Sequence, residues 1–364
     1  MAYSRQDAAG KVLAACRKLV SSGLIARTWG NVSARLDADS FLITPSGRAY
    51  ESLTPEDLVP VSLETLKPLS EGRPSSEKGM HAVLYRQRPD VNFIVHTHQN
   101  YASALSILGQ DLSIAAVRPA LEPVLGQTVP TAAYGLSSTK TLAENVGAAA
   151  QAVPACRAVL MQNHGAVCFA EEDAAAFAVA EALEEASAEQ YRRIVGSLLP
   201  DGADRAEPDR YYYRVLHAEV CEQYAEHYAA FEKPGVGCVI DTATPFVRKY
   251  SSLGVSMPVY IDDLAQMVGI RVSCLPAKAS EIAVGKALGG VPGAVFLKGL
   301  GAVCRGRDED DAAALCMVLE KAAMAALLAQ AGAPAQRVLP AAGILEHAIY
   351  LQKYSKLKNE NIVV

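Results

Sequence analysis

Nothing in this 364-residue chain points to a disulfide scaffold, a zinc ribbon or a CxxC redox motif. Its eight cysteines, at positions 16, 156, 168, 221, 238, 274, 304 and 316, never come closer than twelve residues. The segment from Met1 to Lys11 has no apolar h-region, so no secretory leader is expected, and the cysteines read as reduced thiols of a cytoplasmic protein. An excess of one charge is also missing. Lys plus Arg is 34 against Asp plus Glu 39, a net charge of -5 with no basic block, which argues against nucleic-acid partners. The longest apolar stretch, Ala322 to Leu345, is interrupted by Gln330, Pro334, Gln336, Arg337 and Pro340, and is a poor membrane span. Walker and GxSxG patterns are absent, and Gly299-Leu300-Gly301 has Cys304 where a dinucleotide fingerprint needs its third glycine.

What remains is a composition of 51% hydrophobic and 20% charged residues, that of a globule with a large core, long enough for two to three domains at about 150 residues each. Ser4 and Asp7 form a capping box before Val12, Ala15, Cys16, Leu19 and Val20, whose spacing predicts an amphipathic helix ending at Gly23. Short β-like runs follow at 31–36 and 41–44, then a second capping pattern from Thr54 to Asp57. Pro74-Ser75-Ser76-Glu77 opens a helix that Pro89 stops, and Val91 to Thr97 reads as a buried strand. Helices are expected near 100–108, 139–151 and 171–195. Two strands, 158–161 and 166–169, flank a tight turn at Gln162-Asn163-His164-Gly165. A polar linker from Pro200 onward ends a first domain, 1–199.

The second domain, 200–364, repeats the first incompletely. Residues 158–168 align without a gap on 294–304, an offset of 136 at His164 and Leu300, and Gly-Ala-Val-Cys is identical in both. Upstream, 94–98 falls on 239–243 at an offset of 145, setting His96 over Asp241 and His98 over Ala243. The segment before Val91 in the first half has no full counterpart, and the copy finishes in a helical tail.

The candidate chemistry lies in the first half. His96 and His98, two apart on a strand, share a face, and His164 sits in a turn that can aim it at a strand end. Three imidazoles with an acid nearby suit a catalytic metal with an open position. Glu77 is the acid at a helix start, where a carboxylate is also explained by the helix dipole alone. His81, one turn later, reads as a packed helix histidine. Three polar turns, Gly30-Asn31, Thr44-Pro45-Ser46-Gly47 and Ser75-Ser76, offer amides and hydroxyls that bind a phosphate without lysine, although each alone is ordinary turn chemistry. In the second half, Asp241, Ala243 and Leu300 replace the three histidines, while His217, His227 and His347 are placed in helical or tail segments without a partner at ligand spacing.

Taken in order, Gly30-Asn31-Val32-Ser33, Thr44-Pro45-Ser46-Gly47, Pro74-Ser75-Ser76-Glu77, His96-Thr97-His98 and Asn163-His164-Gly165 resemble the motifs of the class II aldolase/adducin family across residues 5 to 195. The resemblance implies an α/β/α sandwich around a largely antiparallel sheet, here repeated twice. It implies one divalent metal per chain, zinc, on His96, His98 and His164 with Glu77 as neighbour and acid/base. It implies a phosphate site at Gly30, Asn31, Thr44, Ser46, Gly47, Ser75 and Ser76. Two departures bear on substrate. The loop at 113–128 lacks the tyrosine of the fuculose phosphate enzymes, and Glu122 falls near the position where ribulose phosphate 4-epimerases carry a catalytic acid. The expected activity is retro-aldol cleavage of a phosphorylated ketose in carbohydrate catabolism. The alternatives are a sugar-phosphate epimerase, a dehydratase, or an adducin-like scaffold that has no need of three histidines, Glu77 and the turns. Sites of this family lie between subunits of a ring, so a homodimer of tandem chains or a higher homo-oligomer is expected.

Overall fold

The computed structural model describes residues 2–22, 29–203, 214–218 and 227–359, with side chains to 352. The expected helix stop at Gly23, Cys221 and the linker from Asp204 onward lie outside the described residues. The chain divides into two compact units, Met1–Tyr191 with Tyr354–Val364, and Arg192–Lys353.

The first unit opens with α1 (Arg5–Ser21), capped by the Ser4 hydroxyl, which accepts from the Asp7 amide at 3.1 Å; Val12, Cys16 and Leu19 are buried. Strands β1 (Asn31–Arg35), β2 (Ser40–Ile43) and β3 (Val59–Ser62) follow, then α2 (Lys78–Gln87), β4 (Phe93–Thr97) and α3 (Asn100–Ser106). The capping pattern at Thr54 forms, but it starts only one 3-10 turn, Pro55–Asp57. Strands β5 (Leu112–Ser113) and β6 (Thr128–Val129) pair around two short helices, α4 (Ile114–Val117) and α5 (Glu122–Leu125). The unit ends with β7 (Thr131–Ala132), α6 (Lys140–Ala152), β8 (Ala158–Met161), β9 (Gly165–Ala170) and α7 (Asp173–Val195).

These strands form one sheet, β3-β2-β1-β4-β9-β8-β7, antiparallel except for β7 beside β8. One face packs Phe41, Ile43, Val61, Ile94, Val167 and Phe169 against Met80, Leu84, Leu142 and Val146 of α2 and α6. The other face is covered by α1 and α3. Burial on both faces explains why β4 and β9 are apolar without alternation, and β1 is buried along its whole length although Asn31, Ser33 and Arg35 are polar.

The second unit contains β10 (Arg214–His217), α8 (Tyr228–Phe231), β11 (Cys238–Thr242), α9 (Pro245–Ser252), β12 (Met257–Pro258), α10 (Asp262–Val268), β13 (Arg271–Leu275) and α11 (Glu281–Ala287). After these come β14 (Gly293–Leu297), β15 (Gly301–Gly306), α12 (Glu309–Gln330) and α13 (Pro340–Asn359). Its sheet, β10-β11-β15-β14-β13-β12, reproduces the core order β1-β4-β9-β8-β7, including the parallel last pair, β14 with β13. Register agrees with the sequence offsets: His96 faces Val167 as Asp241 faces Val303. The α/β/α sandwich is thus present twice.

Two details of the repeat were invisible in composition or periodicity. The Glu184 carboxylate accepts from the backbone amides of Tyr101 and Ala102 at 2.8 and 3.0 Å, and Glu320 does the same for Phe246 and Val247 at 3.1 and 2.8 Å. A long helix thereby caps the helix that follows the central strand in both units. Gly165 and Gly301 start equivalent strands, and a Cβ there would lie 2.5 Å from the Thr97 carbonyl or 2.2 Å from that of Thr242. Only glycine lets the neighbouring strand pass so close.

The apolar stretch 322–345 is not one element: it joins the end of α12, a loop and the start of α13. Among the described residues one helix, Glu309–Gln330, is long and apolar enough to cross a membrane, and 83% of its apolar window is buried inside the protein. Of the described cysteines, all seven are free, six of them buried and Cys274 partly so.

Candidate active site

The polar centre of the first unit is built at the ends of β1, β4 and β9. His96 is on β4 and fully buried, and its Nδ1–H donates to the Ala166 carbonyl at 2.8 Å. That bond leaves Nε2 as the free lone pair. His98 follows just beyond the strand, its Nε2 2.9 Å from that of His96. His164 stands in the turn between β8 and β9, where Asn163 adopts a left-handed φ of 62°. The same turn in the second unit uses Gly299, φ 76°, before Leu300. Asparagine and glycine are the residues that enter this conformation at least cost, so the turn survives in the copy although the imidazole does not.

The ligating atoms of His96, His98 and His164 all lie within 4.8 Å of one another. Nitrogens bound at 2.0–2.1 Å to one tetrahedral ion stand about 3.3 Å apart, so the cluster is close to a coordination set. Glu77, N-cap of α2, completes it, with Oε2 3.2 Å from His96 Nε2 and Oε1 3.2 Å from His164 Nε2. Burial alone would raise the Glu77 carboxyl, but the His96 and His164 imidazoles beside it outweigh that and hold the group well below the usual carboxylate range. Three buried imidazoles and an ionised carboxylate converging on one point fit a divalent cation: the donors are neutral nitrogens and one anion, with an orienting carbonyl behind His96.

The polar turns converge beside Glu77. Ser46 N donates to the Arg73 carbonyl and Ser75 N to that of Thr44, both at 3.0 Å, which ties the 44–47 turn to the 74–77 turn. Thr44 N donates to the Val32 carbonyl at 3.1 Å, next to Gly30 and Asn31. Gly30 and Gly47 have φ of 130° and 71°. Ser76 accepts from the Ser138 hydroxyl at 2.8 Å, and Ser137 Oγ is 3.4 Å from His164 Nδ1. A cavity of about 290 Å³ runs from Ser76 and Glu77 between α2 and α6, past Val83, Ser138, Thr139 and Leu142; the histidines and the 30–31 and 44–47 turns do not line it. The sequence reading used Thr139 only as a helix cap and missed its neighbours; the Ser-Ser-Thr run was the available signal. Asn31 is held differently from a free phosphate ligand: its Nδ2 donates to Glu77 Oε2 at 2.9 Å and its Oδ1 accepts from His81.

Glu122 begins α5, and among the described residues no hydrogen bond or ion pair joins its carboxylate to the cluster. In the second unit the reading of the spare histidines needs correction. His217 is on strand β10, 3.3 Å from Glu309, and His347 on α13 donates to the Gln266 carbonyl. His227 is neither helical nor isolated. It sits at φ 62° before α8, with Nε2 2.9 Å from Asp241 Oδ1 and Nδ1 3.9 Å from Glu281 Oε2. Spacing missed the contact because α8 and β11 are joined only by the fold. Asp241, at the register position of His96, is thus paired with an imidazole, and among the described residues no second metal-capable group of three is found.

Comparison with known proteins gives the family of the chain. The family model described as Class II Aldolase and Adducin N-terminal domain matches residues 10–191 and, separately, 215–327. The chain is 38% identical to 5-deoxy-D-ribulose 1-phosphate aldolase of Bacillus thuringiensis over 175 residues, 48% of this chain and 79% of that protein. It is 36% identical to L-fuculose phosphate aldolase of Escherichia coli over 164 residues, 45% and 73%. The crystal structure of L-fuculose-1-phosphate aldolase from Thermus thermophilus is 32% identical with a TM-score of 0.44, covering 51% of this chain and 93% of that one.

Proposed function

Since the chain belongs to the class II aldolase and adducin family, we propose that its first unit is a metal-dependent aldehyde-lyase cleaving a phosphorylated ketose, and that its second unit is a structural copy without a catalytic metal. The observation that carries this reading is the joining of His96, His98, His164 and Glu77 beside three polar turns. Relatives named as 5-deoxy-D-ribulose 1-phosphate and L-fuculose phosphate aldolases support the substrate class.

A divalent metal on the three histidines, zinc in this reading, supplies Lewis-acid stabilisation of the negative charge that develops on the substrate's carbonyl and adjacent hydroxyl oxygens as the carbon–carbon bond breaks. The residues of the chain do the rest. Ser46, Gly47, Ser75, Ser76, Thr44, Gly30 and the remaining Asn31 amide hydrogen hold the phosphate, so that binding energy remote from the breaking bond fixes its position. As the bond breaks, the hydroxyl of the departing half must lose its proton to become an aldehyde and the carbanion-like carbon of the phosphate-bearing half must gain one. Glu77, ionised at the start, takes up the first and returns it to that carbon, and the reverse direction runs the same two transfers backward. Glu122, which among the described residues makes no hydrogen bond to the cluster, would serve a neighbouring copy in an oligomer, whose smallest form in this reading is a dimer of chains.

The test is a panel of ketose 1-phosphates offered to the metal-loaded protein, with released dihydroxyacetone phosphate trapped enzymatically. Cleavage of at least one member, abolished by a chelator and restored by metal, is expected. Binding without cleavage across the panel would favour the scaffold.

A further inference from the structure

The proposed chemistry gives His81 no task. It lies one turn along α2 from Glu77, fully buried, in an unbroken line of hydrogen bonds ending on the Glu77 carboxylate. The Tyr85 hydroxyl is 2.8 Å from Ser33 Oγ, and Ser33 Oγ is 2.7 Å from His81 Nδ1. His81 Nε2 meets Asn31 Oδ1, and Asn31 Nδ2 is 2.9 Å from Glu77 Oε2.

Every proton in this line follows from its end. A carboxylate only accepts, so the Asn31 NH2 faces Glu77 and its carbonyl faces His81. A carbonyl also only accepts, so His81 carries its hydrogen on Nε2. Burial lowers the His81 pKa to about 3, so the ring is neutral and Nδ1 is a bare lone pair. It takes the Ser33 hydroxyl proton, and Ser33 Oγ in turn accepts from Tyr85. Burial likewise raises the Tyr85 hydroxyl above its ordinary range and keeps it a donor. All four donors point toward Glu77.

We propose that His81 is a positioning residue whose Nε2–H tautomer, matched at Nδ1 by the Ser33 and Tyr85 hydroxyls, locks the Asn31 amide with its N–H toward Glu77 and so holds that carboxylate between His96 and His164. The inference rests on the aldolase reading above. With the opposite tautomer the Asn31 amide turns over, two oxygens oppose one another, and Glu77 Oε2, the oxygen that faces His96, loses its donor. A fully connected buried network specifies one arrangement; breaking one link frees the next.

The first measurement needs no variant. Nitrogen-15 NMR of the histidine-labelled, metal-loaded protein should show His81 as the neutral Nε2–H tautomer from about pH 5 to pH 9. A Nδ1–H tautomer or a protonated ring in that range overturns the proposal whether or not the protein is an aldolase. In Ser33→Ala the tautomer should become mixed, and kcat should fall roughly ten- to a hundredfold with KM within about threefold and metal content unchanged. Tyr85→Phe should give a smaller loss of the same kind. Unchanged kcat in a folded Ser33→Ala protein, or a loss matched by loss of metal, overturns the role. An inactive wild-type protein with the expected tautomer would instead count against the aldolase reading alone.

Discussion

Replacing Glu320 by alanine tests the claim that the two units share one architecture. The carboxylate is 4% exposed and accepts from the Phe246 and Val247 amides at 3.1 and 2.8 Å and from the Thr244 hydroxyl at 2.5 Å. Alanine leaves two first-turn amides of α9 and one hydroxyl without their acceptor in a buried place, each costing about 1–3 kcal/mol. Part is offset, because burial pushes the Glu320 carboxyl above its usual range despite the Thr244 and backbone hydrogen bonds, showing that the site penalises the charge. The net loss should be about 2–4 kcal/mol, which at a urea m-value of about 2 kcal/mol/M moves the midpoint down by about 1–2 M. The assay is urea unfolding followed by amide hydrogen exchange, so that the second unit is read separately and the Phe246 and Val247 amides directly. Glu184→Ala should cost a similar amount through Tyr101 and Ala102. It should also weaken metal binding, since α3 starts two residues after His98. A loss under about 0.5 kcal/mol with both amides still protected would refute the capping argument.

Three further outcomes are expected. Elemental analysis should find one tightly bound divalent ion per chain, falling to none in His96→Ala/His98→Ala; two ions per chain, or one persisting in that variant, would mean that the second unit holds a site of its own. Glu77→Gln should keep the fold and the metal while lowering kcat by about 10²–10⁴-fold, and unchanged turnover would move the proton transfer elsewhere, with Glu122→Gln the next variant to measure. Burial lowers the His227 pKa, but the Asp241 hydrogen bond and the charges of Asp241 and Glu281 overcome it and the Arg214 charge, leaving the folded value raised above 6.5. The imidazolium therefore stabilises the second unit below the unfolded pKa, and that contribution is lost as pH rises through the folded one; His227→Gln should flatten the stability profile there, and an identical pH response in both proteins would show that the contact carries no charge.

Local signals were legible wherever one residue determines one short-range geometry. Ser4 and Thr139 announce caps because a hydroxyl reaches only two or three residues along its own chain. Asn163-His164-Gly165 announces a turn because so few residues accept a left-handed φ or the 2.5 Å approach of a carbonyl. Thr54 opens only one turn, since a capping box starts a helix but the apolar stripe that would continue it is lacking. His227 and Glu184 were invisible as partners for a different reason: their contacts join elements 14 and more than 80 residues apart, and no periodicity encodes such pairs.

From the order of residues alone came the alternation of helices and strands, the repeat with its register, and the set of three histidines, one glutamate and three polar turns. Each of these follows from side-chain period, backbone preference or donor type, which belong to the residue itself. Only the tertiary structure decided that the Asn31 amide is spent on Glu77, that His81 stands behind it, and that Asp241 is paired with an imidazole. Those outcomes depend on which surfaces meet when β1, α2 and β4 pack, where burial removes water and obliges every polar atom to find a partner across the chain.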